Sequence, residues 1–425
     1  MIPAVISSSI FTISLGLIFL EKLNRTIVAV AGAALMVGVG IAFHFYSEDG
    51  AIRAIEFNTL GLLLGMMILV ALLEPTGFFQ YLAVWVGRFS AGRPIRLLVL
   101  LGTVTTLASM FLDNVTTVVL IAPVTILISE VLGISPRPLL MAEALLSNTG
   151  GVATLVGDPP NILIAEAADF SFADFLVHSL PIVVVVWLVA LLLLSLLFRK
   201  ELAELPENAG AILQLQPAEV LQDWTTARRV LVIIGIAILC FLFEERLHVR
   251  PSFIALSAAA IALLWVHPDI QETLKRIEWS VLLFFSALFV MVGGMEAAGV
   301  LQAVASFVSR VQHLPPVLLG LALLWIVALS SAIVDNIPIT IALIPIIQGL
   351  GETGMDISHL WWALAFGAGF GGNGTIIGST ANIVVTSLSE RTRAPITPIL
   401  WNKRGLPVML ATCLAASILY FLAFR

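Results

Sequence analysis

Charge is what this sequence has least of. Asp, Glu, Lys and Arg make up 11% of its 425 residues, whereas soluble domains carry roughly 25%. A water-facing surface of ordinary polarity cannot be built from so few charged groups. Cysteine is almost as scarce: Cys240 and Cys413 sit alone in apolar runs with no Cys-x-x-Cys or Cys/His spacing, so they read as small apolar residues. No metal site and no cofactor are expected. The net charge of -6 is spread over short loops, with no basic patch and no acidic tail, which argues against a nucleic-acid partner. The six histidines, at 44, 178, 248, 267, 313 and 359, are too scattered for a proton relay.

What fills the space is hydrophobic sequence, 60% of the chain, with a mean hydropathy of +1.07. The runs 4–20, 26–43, 175–198 and 404–424 approach or exceed the roughly 20 residues that span a bilayer as a helix. Backbone inside hydrocarbon must satisfy its own hydrogen bonds, so only helices or a closed barrel can cross, and no alternating-strand pattern is present. The fold class is therefore an all-α, multi-pass membrane protein. The amino terminus lacks the basic region of a cleavable signal and reads as the first span.

Lys and Arg collect in cytoplasmic loops. Lys22 and Arg25, then Arg88, Arg93 and Arg96, then Arg199, Lys200, Arg228 and Arg229 mark one side. The acidic segments 44–56 and 166–174 mark the other. Arg96 and Arg137 place both ends of the run 97–132 inside, so this run is expected to be a re-entrant hairpin turning at Asp113-Asn114.

The second half repeats the first. LEPTGFFQYLAVWVGR at 73–88 aligns with MEAAGVLQAVASFVSR at 295–310, and LASMFLDNVTTVVLIAPV at 107–124 with LSSAIVDNIPITIALIPI at 329–346, both shifted by 222 (296 minus 74). GGVATLVGDPPNILI at 150–164 aligns with GGNGTIIGSTANIVV at 371–385, shifted by 221 (382 minus 161). Five crossings and one hairpin per half is an odd number, which inverts the second half in the membrane, an arrangement typical of secondary transporters. The expected division is 1–198 for the first repeat (hairpin 97–132, broken helix 138–165), 199–228 for a cytoplasmic linker, and 229–425 for the second (hairpin 315–350, broken helix 359–388).

Four polar segments interrupt the apolar sequence: the two Asp-Asn tips, SNTGGVATLVGDPPN at 147–161, and GFGGNGTIIGSTAN at 369–382. Gly and Pro there would unwind a crossing helix, and unwound backbone at membrane depth is tolerated where it lines a cavity or is buried in protein. One half-site is expected from Asp113, Asn114, Thr116, Asn148, Thr149 and Asp158 around Asn161, and its counterpart from Asp335, Asn336, Asn373, Thr375, Ser379 and Asn382. Neutral amides and hydroxyls would hold a solute; Asp113, Asp158 and Asp335 would carry a proton or cation. A carboxylate at mid-membrane costs about 2.5 to 3.5 kcal/mol on insertion scales, and no Lys or Arg in a tip or break is at hand to pair one. The blander role for each tip aspartate is N-capping the helix behind it. Glu74 and Glu296 read as interfacial carboxylates, Glu143 as vestibular, solvated or capping, and Trp361-Trp362 as interfacial belt aromatics.

With LDNVTTVVLIAPVTI, SNTGGVATLVGDPPNI, VDNIPITIALIP and GGNGTIIGSTANIV in order, the sequence resembles the ion transporter superfamily, most closely its ArsB/NhaD branch of arsenite permeases, sodium/proton antiporters and P-protein-type permeases. The resemblance implies a homodimer in the cytoplasmic membrane of a bacterium or archaeon. It also implies an elevator movement, in which early spans of each repeat form a fixed scaffold while hairpins and broken helices carry the site. The related dicarboxylate symporters have Ser-Asn-Thr tips; Asp-Asn tips disfavour an anionic cargo. Proton-coupled efflux of arsenite or antimonite, uncharged trihydroxides at neutral pH, is the first expectation. Sodium/proton antiport is the second, anion transport the third, and a partner ATPase subunit is left open. An enzyme is not expected: an intramembrane aspartyl protease would carry Gly-x-Gly-Asp, and Gly157-Asp158 follows Leu155-Val156.

Overall fold

The computed structural model describes residues 2–19, 23–203, 206, 210, 212, 216–300, 315–352 and 354–424, and these contain helices and no strand. Lys22, Gln302, Arg310, His313 and most of the polar stretch 204–215 lie outside the described residues. Seven helices among those described are long and apolar enough to cross a membrane. The chain is a multi-pass membrane protein.

In the first half, α1 (Ile2–Phe19), α2 (Arg25–Ala42) and α3 (Phe57–Leu73) are followed by an amphipathic connecting helix, α4 (Phe78–Phe89). The hairpin is α5 (Pro94–Ser109) and α6 (Asn114–Leu132); the broken helix is α7 (Arg137–Gly151) and α8 (Pro159–Ala168); α9 (Leu180–Leu197) closes the half. In the second half the order recurs as α10 (Trp224–Leu242), α11 (Pro251–Val266), α12 (Trp279–Ala297), hairpin α13 (Pro316–Ser331) and α14 (Asn336–Glu352), broken helix α15 (Ser358–Gly371) and α16 (Thr380–Ser389), and α17 (Pro398–Ala423). The starts of α13 and α5 differ by 222 (316 minus 94), and those of α16 and α8 by 221 (380 minus 159). Even the proline kinks match, Pro123 in α6 and Pro345 in α14.

Packing follows the same two-fold relation. Helix α2 lies along α12 as α11 lies along α3, and each hairpin packs on the broken helix of its own repeat. The half-helices cross over: α8 packs on α14, and α16 on α6.

Irregular backbone between the half-helices is satisfied locally. The Asn161 amide donates to the carbonyls of Gly151 (2.9 Å) and Thr154 (2.8 Å), and the Asn382 amide to Gly372 (2.8 Å) and Thr375 (2.9 Å). Each hairpin is pinned to its break in two places. Ser109 and Ser331 hydroxyls donate to Ser147 and Ala368 carbonyls, both at 2.8 Å, while Thr154 and Thr375 donate to Met110 and Ala332. Such close approach needs glycine: a Cβ on Gly157 would stand 2.6 Å from the Gly151 oxygen and 2.7 Å from that of Ser109.

Gly157→Ala is therefore expected to force backbone apart and cost about 1–3 kcal/mol, the usual range for overpacking. Gly235→Ala, whose Cβ would meet nothing within 4 Å, should leave the thermal unfolding midpoint in detergent unchanged. Equal midpoints for the two variants would refute the close-approach argument.

Candidate functional site

A cavity of about 300 Å³ opens where the four polar breaks converge. Both hairpin tips reach it with Asp113, Asn114, Thr116, Asp335 and Asn336, and the breaks contribute Asp158 and Ser379. Its mouth is formed by Arg25, Glu74, Arg276 and Glu278, on the side that the Lys/Arg distribution assigns to the cytoplasm.

The other expected site residues do not line the cavity. Asn148, only 2% exposed, is the hub: its amide donates to Asn373 (2.9 Å) and Asn382 (3.1 Å), and its oxygen accepts from Asn114 (3.0 Å) and Ser379 (2.9 Å). Asn373 in turn donates to the Leu145 carbonyl (3.2 Å) and the Thr149 hydroxyl (3.4 Å), and its carbonyl accepts from the Trp401 indole at 3.2 Å. Asn148, Thr149, Asn161, Asn373, Thr375 and Asn382 thus spend their polar groups on the protein itself. Trp401 was not singled out in the sequence, where it looks like one more aromatic in an apolar run.

Two expectations are corrected. The half-sites are not confined to their own repeats, because Asn336 of the second hairpin donates to Asp158 of the first break at 2.8 Å. The crossing half-helices dictate this, since α8 faces α14. Nor does Asp335 lack a cation: Arg25, 310 residues away in sequence and outside the tips and breaks, binds its carboxylate at 2.9 Å. Arg25 begins α2 after the Asn24 cap, which puts a guanidinium at the head of an apolar span.

Both tip aspartates also cap their helices. Asp113 accepts from the backbone N–H groups of Val115 (2.8 Å) and Thr116 (3.1 Å) and from the Thr116 hydroxyl; Asp335 accepts from Ile337 N–H (3.2 Å) and the Thr380 hydroxyl (2.9 Å). They differ in charge environment, since Asp113 has no salt bridge among the described residues. At the mouth Glu74 pairs with Arg276 at 3.2 Å.

Glu143 is not solvated. It is fully buried and accepts from Thr125, while its second oxygen has no partner among the described residues. Trp361 and Trp362 are not belt residues either: both are 2% exposed, and Trp362 stacks on Phe170 at 4.7 Å. Among the described residues, no group of three or more His, Cys, Asp or Glu is arranged to hold a metal ion.

A family model described as "CitMHS: Citrate transporter" matches residues 15–367. The chain belongs to that family. It is 38% identical over 99% of both chains to a 46 kDa membrane protein of Mycobacterium leprae, and 38% identical over 98% of both to an uncharacterized transporter of Mycobacterium tuberculosis. It also matches the human P protein, 31% identical over 93% of this chain and 57% of that one, so the kinship with the ArsB/NhaD permeases holds. Its fold is similar to that of the YdaH transporter of Alcanivorax borkumensis, with a TM-score of 0.65, 16% identity, and 99% and 98% of the two chains covered. The protein is a membrane transporter, not an enzyme, and resides in the plasma membrane.

On the opposite face this transporter has an open vestibule of about 460 Å³ whose wall includes Glu244. The Glu244 carboxylate accepts from the Phe172 N–H at 2.7 Å, and burial pushes its pKa from the ordinary 4.5 up to about 7. The folded chain thus holds this proton more tightly than the unfolded chain does. The resulting stability is fully present below pH 4.5 and is lost as pH rises through 7. Glu244→Gln should flatten that decline in a thermal-unfolding series across this window; an unaltered slope would contradict the assignment.

Proposed function

We propose that the protein is a proton-coupled secondary transporter of a small inorganic solute, with arsenite and antimonite as its cargo, working as a homodimer by an elevator movement. The observation that carries this reading is the balance of acidic and basic groups in the cavity. Glu74, Asp113, Asp158, Glu278 and Asp335 line it against Arg25 and Arg276, so carboxyl groups outnumber guanidiniums and the lining is poorly suited to a free anion. A neutral trihydroxide meets amide, hydroxyl and carboxylate partners without a charge penalty. Citrate, the substrate in the family's description, fits this balance only with its charge cancelled by bound cations or protons.

In this reading α1–α3 with α10–α12 form the scaffold, and the hairpins and broken helices form the carrier. The position of Arg25, Glu74, Arg276 and Glu278 on the cytoplasmic side of the cavity supports reading this as the inward-facing state. Asp113, Asp158 and Asp335 exchange the coupling proton as the carrier moves, Asn114, Thr116, Asn336 and Ser379 contact the cargo, and the buried asparagines set their positions. Sodium/proton antiport is the second reading, favoured by the same excess of carboxylates, with Na+ and H+ alternating on the aspartates.

The test is transport in proteoliposomes under an imposed pH gradient, comparing arsenite with Na+ for the native chain, Asp113→Asn and Asp335→Asn. Arsenite flux that follows the gradient and falls by at least about 100-fold in either variant is the expected result, a loss equal to roughly 2.7 kcal/mol. Sodium-dependent proton movement without arsenite flux would establish antiport instead. Undiminished flux in both variants would reduce the aspartates to helix caps.

A further inference from the structure

The two ends of the scaffold are related by the two-fold, yet only one is occupied by a hairpin tip. On the cytoplasmic side the tip of the second hairpin docks on the turn before α2: Asp335 binds Arg25, and Leu23, Arg25, Val334 and Pro338 share one small cavity. The Arg25 guanidinium lies over the Phe284 ring of α12, 5.5 Å from its centroid. The counterpart of Phe284 is Leu62 in α3 (284 minus 62 is the repeat shift of 222).

Leu62 lines the external vestibule, and so do Arg250, Pro251 and Ser252 at the head of α11. Helix α11 is the counterpart of α2, and Ser252 lies against α3 at this level, donating to Asn58 at 3.2 Å. Arg250, the N-cap of α11, is thus one position before the residue that matches Arg25, the first residue of α2, and places a guanidinium at the same end of the equivalent helix. No tip faces it: the vestibule is open, and Arg250 makes no salt bridge among the described residues. Asp113, the counterpart of Asp335, has none either.

We infer that Arg250 is the outward-facing partner of Asp113, so that the carrier trades the Arg25–Asp335 ion pair on one side for an Arg250–Asp113 ion pair on the other. This rests on the elevator reading and adds to it a positioning residue outside the four polar breaks. The vestibule explains why a cation is needed. Glu166, Asp169, Glu244 and Glu245 share its wall, so an aspartate arriving without Arg250 would meet carboxylates. His248 also lines it, but Arg250 is the residue that adjoins the helix start, as Arg25 does.

The exchange can be read with Val334→Cys as a reporter in a Cys240→Ser, Cys413→Ala background. A membrane-impermeant thiol reagent is applied to proteoliposomes from either side. Arg250→Leu should shift labelling toward the cytoplasmic side by about tenfold, a change equal to roughly 1.4 kcal/mol. Arg25→Leu should shift it the other way, Arg250→Lys should restore most of the balance, and His248→Asn should not disturb it. The paired exchange Asp113→Arg with Arg250→Asp should recover the native ratio, which shows that the pairing of the two charges sets it. If the reporter changes sides but Arg250→Leu leaves the ratio unaltered, this inference fails while the elevator reading stands. If the reporter never changes sides in the parent, the elevator reading fails first.

Discussion

Backbone that leaves its helix inside a bilayer must find its hydrogen bonds within the protein, because no water waits there to complete them. In this chain two asparagines meet that demand. Asn161 and Asn382 each bind two carbonyls of the loop that precedes their half-helix, and a buried carbonyl left unpaired costs about 1–3 kcal/mol. The serine and threonine clasps then fasten each hairpin to its break. These bonds tie each hairpin to its own broken helix, as the elevator reading proposed above requires of a carrier.

The crossing of half-helices gives that arrangement a second property. Asn148 binds Asn114 of its own repeat and Ser379, Asn373 and Asn382 of the other, while Asn336 reaches back to Asp158. The cavity therefore belongs to neither repeat. Where the first break offers Asp158, the second offers Ser379, so the two-fold of the backbone encloses an asymmetric set of ligands. One carboxylate is shared between a tip and a break, and the matching place on the other side holds a hydroxyl.

Much of this was legible in the sequence. Polar interruptions in apolar runs, duplicated at a constant shift, locate both hairpin tips and both breaks, and Gly and Pro show where helices end. What tertiary packing alone decides was not legible. Nothing in the spacing says that Arg25 will cross 310 residues to Asp335, or that Asn336 will choose Asp158 over its own break. Trp361 and Trp362 carry the composition of an interfacial belt, but α15 is packed on all sides, so they are buried. Glu143 looks accessible from its place before the break and is sealed between α6 and α7.

The unequal surroundings of the two tip aspartates bear on how coupling could proceed. Each cap gives its carboxylate two or three donors at a helix N-terminus, which supports negative charge without needing a cation. Asp335 has Arg25 in addition, so its carboxylate is already engaged with a guanidinium at the head of α2. Asp113 faces the same cavity with no such commitment; in the elevator reading proposed above, it is the tip aspartate that exchanges with the cytoplasmic side while Asp335 holds the carrier against the scaffold. Inverting the carrier would reverse these roles if the far side also supplies a guanidinium. In that reading, a two-fold backbone with one engaged and one free aspartate divides two tasks, holding the conformation and loading the ion, between chemically identical residues, and the membrane side that each tip faces decides which task it performs.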